Sequence, residues 1–255
     1  MDIKKAKVLY LSGTGTTEKY AKAFAKGLGC ETEVEPINVQ GSYGGTMGTG
    51  ELLVLAAPVF GGYAPHFVWE QLEGLTGTDT PAVILAVYGA RDYDNALLEM
   101  SSKLADKGFA TVGAAALVAR HSIVQTIAPG RPNDADLEGV CAFAKTVAQR
   151  LDDMGSIADV PSFTFKGELA DTANPGMVPQ VSDACVQCGT CARECPAGAI
   201  PEDAPNTVDA DKCISCLHCI EVCPMNARTL PEQMVAGAAQ MLSTCTDPEK
   251  ANEYF

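Results

Sequence analysis

Basic side chains are scarce in this chain. Its 255 residues carry 18 lysines and arginines against 32 aspartates and glutamates, a formal charge of −14. Cations so few cannot neutralise a run of phosphates, which argues against nucleic acid or an anionic membrane as the ligand. Long apolar runs are also missing. No stretch approaches the roughly 18 unbroken apolar residues of a membrane span, and the opening Met1-Asp-Ile-Lys-Lys-Ala-Lys7 leads into neither an apolar segment nor a small-residue cleavage site. The expectation is a soluble, cytoplasmic chain with no membrane insertion. Histidine is rare, with 3 in all. His66 and His121 are not grouped with carboxylates as a di-iron site would need, so neither is assigned a metal.

Cysteine is what the chain has in quantity, with 11 residues. Eight fall in two runs, Cys185-x-x-Cys188-x-x-Cys191-x-x-x-Cys195-Pro196 and Cys213-x-x-Cys216-x-x-Cys219-x-x-x-Cys223-Pro224, offset throughout by 28 residues, with Ala199 and Ala227 in the same register. Three thiolates at two-residue gaps reach one iron-sulfur cubane from a single loop, whereas the fourth, before proline, leads away and serves the other cluster. The expected sets are Cys185, Cys188, Cys191 and Cys223 for one [4Fe-4S] cluster, and Cys213, Cys216, Cys219 and Cys195 for the second. Zinc favours separated C-x-x-C pairs and disulfides favour an oxidising compartment, so both fit less well. Cys141 lies in a helical pattern as a small core residue; Cys30 and Cys245 carry no assignment. His218, inside the second run, reads as a solvent-facing spacer in preference to a donor that tunes the cluster.

The first 154 residues alternate strand and helix patterns. Lys7 to Leu11 reads as a buried strand, Ser12-Gly13-Thr14-Gly15-Thr16-Thr17 as a turn, and Thr17 to Leu28 as an amphipathic helix. Hydroxyls and glycines at a helix amino end wrap a phosphate well. A dinucleotide fingerprint would need glycine where Glu18 stands, and the Gly-Lys-Ser/Thr ending of a Walker loop is missing. Two further loops follow predicted strands: Pro58-Val59-Phe60-Gly61-Gly62-Tyr63 after the apolar run Leu52 to Ala57, and Tyr88-Gly89-Ala90-Arg91-Asp92-Tyr93 at the end of the strand Pro81 to Tyr88. Asp94 is expected to cap the next helix, and Trp69 to pack against the sheet. Thr111 to Ala119 gives a fifth strand and Asp134 to Met154 the last helix. All three loops sit at the carboxyl ends of strands, where open α/β sheets bind ligands. The excursion Arg120 to Asn133 is longer than a simple connection and reads equally as a lid or partner loop and as a structural spacer.

Ser12, Thr14, Gly15 and Thr17 match the flavodoxin pattern Ser/Thr-x-Thr-Gly-x-Thr, and this region resembles an FMN-binding flavodoxin. The whole chain resembles the flavodoxin-ferredoxin fusion proteins. The resemblance implies a flavodoxin-like five-stranded parallel sheet with helices on both faces (residues 1–154), a linker (155–182) containing Ala173-Asn-Pro-Gly176, a small α+β two-cluster ferredoxin domain (183–230), and a closing helix and loosely held acidic tail (231–255). It also implies FMN, with its phosphate in the Ser12 to Thr17 loop and its ring between the Pro58 and Tyr88 loops. Phe60, Tyr63 and Tyr93 are the stacking candidates there, and Arg91 and Asp92 either meet ring heteroatoms or form an exposed turn. The function implied is electron transfer that couples one-electron clusters to FMN in an oxygen-poor interior. Its partners would be redox proteins such as a ferredoxin or a flavoenzyme, and a homodimer is compatible. An FMN-dependent reductase of a quinone or nitro compound is the alternative, and a redox or oxygen sensor a third reading.

Overall fold

The computed structural model describes residues 1–170, 176–247 and 249–255; positions 171–175 of the expected linker lie outside them. In chain order the elements are β1 (Lys5–Tyr10), α1 (Thr16–Gly27), β2 (Glu31–Pro36), β3 (Gly45–Met47), β4 (Glu51–Pro58), α2 (His66–Gln71), β5 (Leu75–Gly77), β6 (Thr80–Tyr88), α3 (Ala96–Asp106), β7 (Phe109–Val118) and α4 (Asp134–Asp153). There follow β8 (Gln180–Val181), α5 (Thr190–Arg193), α6 (His218–Glu221), β9 (Arg228–Thr229), α7 (Glu232–Leu242) and β10 (Glu253–Tyr254).

The main sheet runs β2-β1-β4-β6-β7 in parallel, the order of a flavodoxin-like sheet once the separate β3-β5 pair is set aside. β4 and β6 are buried along nearly their whole length, and their apolar runs suit strands covered on both faces. α2 and α3 cover one face through Val68, Trp69, Leu97 and Met100. α1 and α4 cover the other through Tyr20, Phe24, Val140 and Val147. α4 opens on a capping box in which Asn133 Oδ1 accepts from Asp136 N at 3.0 Å. At α3 the expected cap is corrected. Asn95 holds the cap position, while Asp94 sits at φ 43° and pairs with Arg91.

The sheet carries a sixth strand. β10 pairs antiparallel with β7, Glu253 against Ala116 and Tyr254 against Ala115. The expectation of a loosely held tail is therefore corrected, because β7 would otherwise present an open edge. Asn252 Oδ1 accepts from Val118 N at 2.7 Å, and the Tyr254 ring lies 5.1 Å from that of Phe143. The linker lies along this first unit: Lys166 Nζ meets Asp92 Oδ1 at 2.6 Å, Tyr63 donates to Glu168 O at 3.0 Å, and Phe165 meets Phe255.

In the cysteine-rich unit the 28-residue repeat is written into the backbone. α5 and α6 are offset by 28, as are the left-handed residues Gln187 and Ser215, Gly189 and Leu217, and Gly198 and Asn226. Its own core is small, with Cys191, Ala192, Ile200 and Cys219 at its centre. The unit sits over the carboxyl ends of β1 and β2: Gly13 packs on Cys216, Val39 N donates to Pro196 O at 2.8 Å, and Ala197 joins the core of the first unit. Among the described residues, no helix is long and apolar enough to cross a membrane.

Candidate cofactor sites

Cys185, Cys188, Cys191 and Cys223 line one cavity, together with Pro205, Met225 and Arg228. The fourth thiol comes from the other run, as the exchange rule requires. Cys195, Cys213, Cys216 and Cys219 form the second set, close enough for Cys195, Cys219 and Cys213 to act electrostatically on Cys216. The two proline-preceding cysteines are held alike, since Ala199 N donates to Cys195 Sγ and Ala227 N to Cys223 Sγ, both at 3.3 Å. Burial pushes the Cys216 thiol up to about 12 and the Cys219 thiol up to about 11. Such thiols keep their protons until iron displaces them, so assembly releases protons and couples to folding. Cys188 is shifted the other way, downward, by hydrogen bonding at Thr190. Among the described residues, no three His, Cys, Asp or Glu side chains converge as a single-ion site would; thiolates around a cubane are held apart by the inorganic core.

At the opposite end of this unit the cysteine loop meets the first turn of the flavodoxin-like unit. Gly13, Thr14, Thr16 and Thr17 line a cleft shared with Pro58, Phe60, Tyr88, Arg120 and Cys216. Gly15 turns the chain at φ 79°, which glycine adopts without strain. α1 then begins with N–H groups that the helix cannot satisfy itself, and Ser12 Oγ accepts from Glu18 N at 3.2 Å. The cleft continues into a cavity of about 750 Å³ lined by Val59, Gly61, Gly62, Gly89, Arg91 and Asp92 on one side, and by Met177, Ser215, Met241, Leu242 and Cys245 on the other. His121 to Ile123 complete the wall.

Of the residues singled out in sequence, Phe60 and Tyr88 reach the cavity, whereas Tyr63 and Tyr93 do not line it. Tyr63 spends its hydroxyl on Glu168 O, and Tyr93 packs edge-on behind Tyr88 and bonds Glu253 Oε2 at 3.2 Å. Ala90 is buried at φ 62°, its carbonyl accepting from Asp247 N. Asp92 is pushed up by burial, but Lys166 beside it outweighs this and leaves its carboxyl below the ordinary value. Tyr88 is 3% exposed and its hydroxyl has no hydrogen-bond partner among the described residues. A buried hydroxyl left unpaired costs free energy, so a polar ligand edge in the cleft suits it. The backbone at Cys216 is packed so closely on Gly13 that a Cβ at Gly13 would lie 1.9 Å from Cys216 O.

The reading of His218 is corrected. It is half-buried, and its Nδ1 lies 2.8 Å from Gly13 O while its Nε2 faces Glu194 Oε2 at 3.4 Å. The Arg120 excursion, open in sequence between lid and spacer, binds the other unit: Arg120 and Gln125 both donate to Glu221 Oε1, at 3.1 and 3.0 Å.

Residues 177–224 match the family described as the 4Fe-4S dicluster domain. A search of curated protein sequences gives no match. Among solved structures the chain is similar to a flavodoxin from the domain Archaea, with 16% identity over 58% of this chain and 99% of that one and a TM-score of 0.43. It is also similar to the Streptococcus pneumonia TIGR4 flavodoxin (15%, covering 57% and 99%, TM-score 0.42). The NAD(P)H:quinone oxidoreductase from Methanothermobacter marburgensis is a third (14%, covering 60% and 98%, TM-score 0.40). The strand order and the cysteine repeat, taken from this chain alone, define an α/β unit of flavodoxin-like topology joined to a cysteine-rich unit of the 4Fe-4S type.

Proposed function

We propose that the protein is an electron-transferring iron-sulfur flavoprotein that binds FMN in the cleft over the main sheet and two [4Fe-4S] clusters in the carboxyl-terminal unit. One observation carries the reading: the hydroxyl-rich turn Gly13 to Thr17 and the cluster ligand Cys216 line the same cleft. Clusters exchange single electrons and a flavin accepts one or two, so their union couples one-electron carriers to two-electron chemistry.

The chain's own residues supply position. Thr14, Thr16 and Thr17 at the amino end of α1 suit the phosphate, and Phe60, Tyr88 and the Gly61-Gly62 backbone suit the ring. The contact of Gly13 with Cys216 and His218 supports transfer between the second cysteine set and the flavin within one chain. The first set faces outward, with Val186 and Met225 of its rim 62% and 47% exposed. Their counterparts 28 residues away, Ile214 and Ala197, pack into the first unit. The free rim is thus where a cytoplasmic one-electron carrier, such as a ferredoxin or a flavoenzyme, reaches the protein. Anaerobic purification should give about eight irons, as many sulfides and one FMN per chain; about four irons, or no flavin after FMN is added back, would refute the reading.

The large cavity supports a second reading. Met177, Ala238, Met241 and Leu242 give it an apolar wall opposite the ring loops, suited to a quinone or a nitroaromatic compound. Turnover of such a compound by the protein with chemically reduced ferredoxin, and no other protein, would favour a reductase.

A further inference from the structure

Arg228 is 2% exposed. Its Nε donates to Cys191 Sγ at 3.2 Å and its Nη2 to Pro205 O at 2.5 Å and Thr207 O at 3.3 Å. Nη1 is buried with no partner among the described residues, and the side chain lines the cavity of Cys185, Cys188, Cys191 and Cys223. No carboxylate forms an ion pair with it among those residues. A guanidinium taken out of water in this way needs an anion close by. The repeat supplies the contrast, because the residue 28 positions earlier is Ile200, 4% exposed and equally central to the small core.

We infer that Arg228 is the built-in counter-ion of the cluster held by Cys185, Cys188, Cys191 and Cys223, and that it makes this outer cluster the first to be reduced. The inference rests on the cluster reading above. Four thiolates leave a cubane anionic, and taking one electron from a one-electron carrier makes it more negative by one charge; no bond breaks and no proton moves. A fixed positive charge in hydrogen-bond contact favours that change more than one farther off. Arg228 is felt also at Cys213 and Cys219 of the inner set, but it donates directly to the outer set, and the inner set has only the aliphatic Ile200 at the matching place. Electrons delivered at the exposed rim therefore come to rest there before they pass inward.

The test uses the full, cluster-loaded protein. In the chain reduced anaerobically by a single electron from dithionite, contact-shifted cysteine β-protons identify the reduced cluster. The expected result is a spin on Cys185, Cys188, Cys191 and Cys223 in about tenfold or greater excess, the least that direct contact with a charge should give. Arg228→Ile should abolish that preference and lower the reduction potential of the outer cluster more than that of the inner, and Arg228→Lys should restore most of it. A spin on the inner set in the unaltered protein would overturn the inference, even if no variant retains its iron. So would equal potential shifts of both clusters in a fully loaded Arg228→Ile protein. Failure of the chain to hold about eight irons would instead remove the cluster reading itself.

Discussion

The imidazole Nδ1 of His218 lies 2.8 Å from the carbonyl oxygen of Gly13, so a ring nitrogen two residues from one cluster ligand and one from the next donates to the turn that opens α1. The turn and the cysteine loop are thereby one surface. Gly13→Ala would drive a methyl carbon into the Cys216 backbone, and neither side can swing away as a flexible side chain could. The variant should keep its iron, lose FMN affinity and exchange electrons between clusters and flavin severalfold more slowly, as rapid-mixing absorbance will show. His218→Ala removes a single hydrogen bond, worth about 1 kcal/mol, and should slow the exchange less. Equal rates in Gly13→Ala and the unaltered protein would place the flavin elsewhere.

The exchange of ligands between the two runs gives a second prediction, because sequence neighbourhood and spatial neighbourhood disagree. Cys195 belongs to the first run but to the set beside the Gly13 turn; Cys223 belongs to the second run but to the outer cavity. Cys195→Ala and Cys223→Ala should each leave about four irons. Only Cys195→Ala should stop the clusters from reducing the flavin, and the opposite pattern would mean that each run holds its own cluster.

The cysteine runs were legible in sequence because cluster ligation demands residue type and spacing together, and the Thr-rich turn was legible as the start of α1 because glycine and hydroxyl residues at a helix amino end are a local signal. The far wall of the cavity was not, since Met177, Ser215, Met241 and Cys245 meet Phe60 only after the chain has folded back across more than one hundred residues. Tyr63 and Tyr93 occupy the expected loops, yet the linker and the tail supply Glu168 and Glu253 as partners for their hydroxyls and turn both away from the cavity. The acidic end read as solvated for a similar reason. What makes 253–254 a strand is the open edge of β7, and no local pattern encodes it.

Tyr88 should show effects of opposite sign with and without cofactor. Its buried hydroxyl has no partner among the described residues, so Tyr88→Phe should leave the flavin-free protein as stable or slightly more so. If the hydroxyl meets the flavin, the same change should weaken FMN binding about fivefold, the equivalent of roughly 1 kcal/mol. Fluorescence titration of FMN and urea unfolding of the flavin-free chain read the two effects separately. Unchanged affinity would remove Tyr88 from the flavin site.

Asn252 anchors the tail through its side chain. Val118 N donates to its Oδ1, which also accepts from Arg131 Nη2 at 3.5 Å, and its Nδ2 reaches Asp136 Oδ1 at 3.1 Å and the Tyr20 hydroxyl at 3.5 Å. Asn252→Ala leaves the Val118 amide unsatisfied inside the sheet and should destabilise the first unit by about 2 kcal/mol. Hydrogen exchange should quicken first at 115–118 and at 253–255, with the cysteine-rich unit unaffected; uniform exchange across the chain would show that the tail is no local clamp.

His121 gives the fold a dependence on pH near neutrality. Its Nδ1 accepts from Ile123 N at 3.2 Å and Val124 N at 3.1 Å, so this face must stay unprotonated. Burial first, and then the charge of Arg91, hold its pKa below the ordinary histidine value. A histidine with a depressed folded pKa binds its proton more readily in the unfolded chain. Its contribution is therefore complete above about pH 6.5 and is lost as pH falls below that value, by at most about 1.4 kcal/mol per pH unit. His121→Asn offers an acceptor that does not titrate. Urea midpoints between pH 7.5 and 5.5 should fall for the unaltered protein and fall less for the variant, and because His121 walls the large cavity, FMN retention should follow the same curve. Parallel lines for the two proteins would mean that the imidazole is free to protonate where it stands.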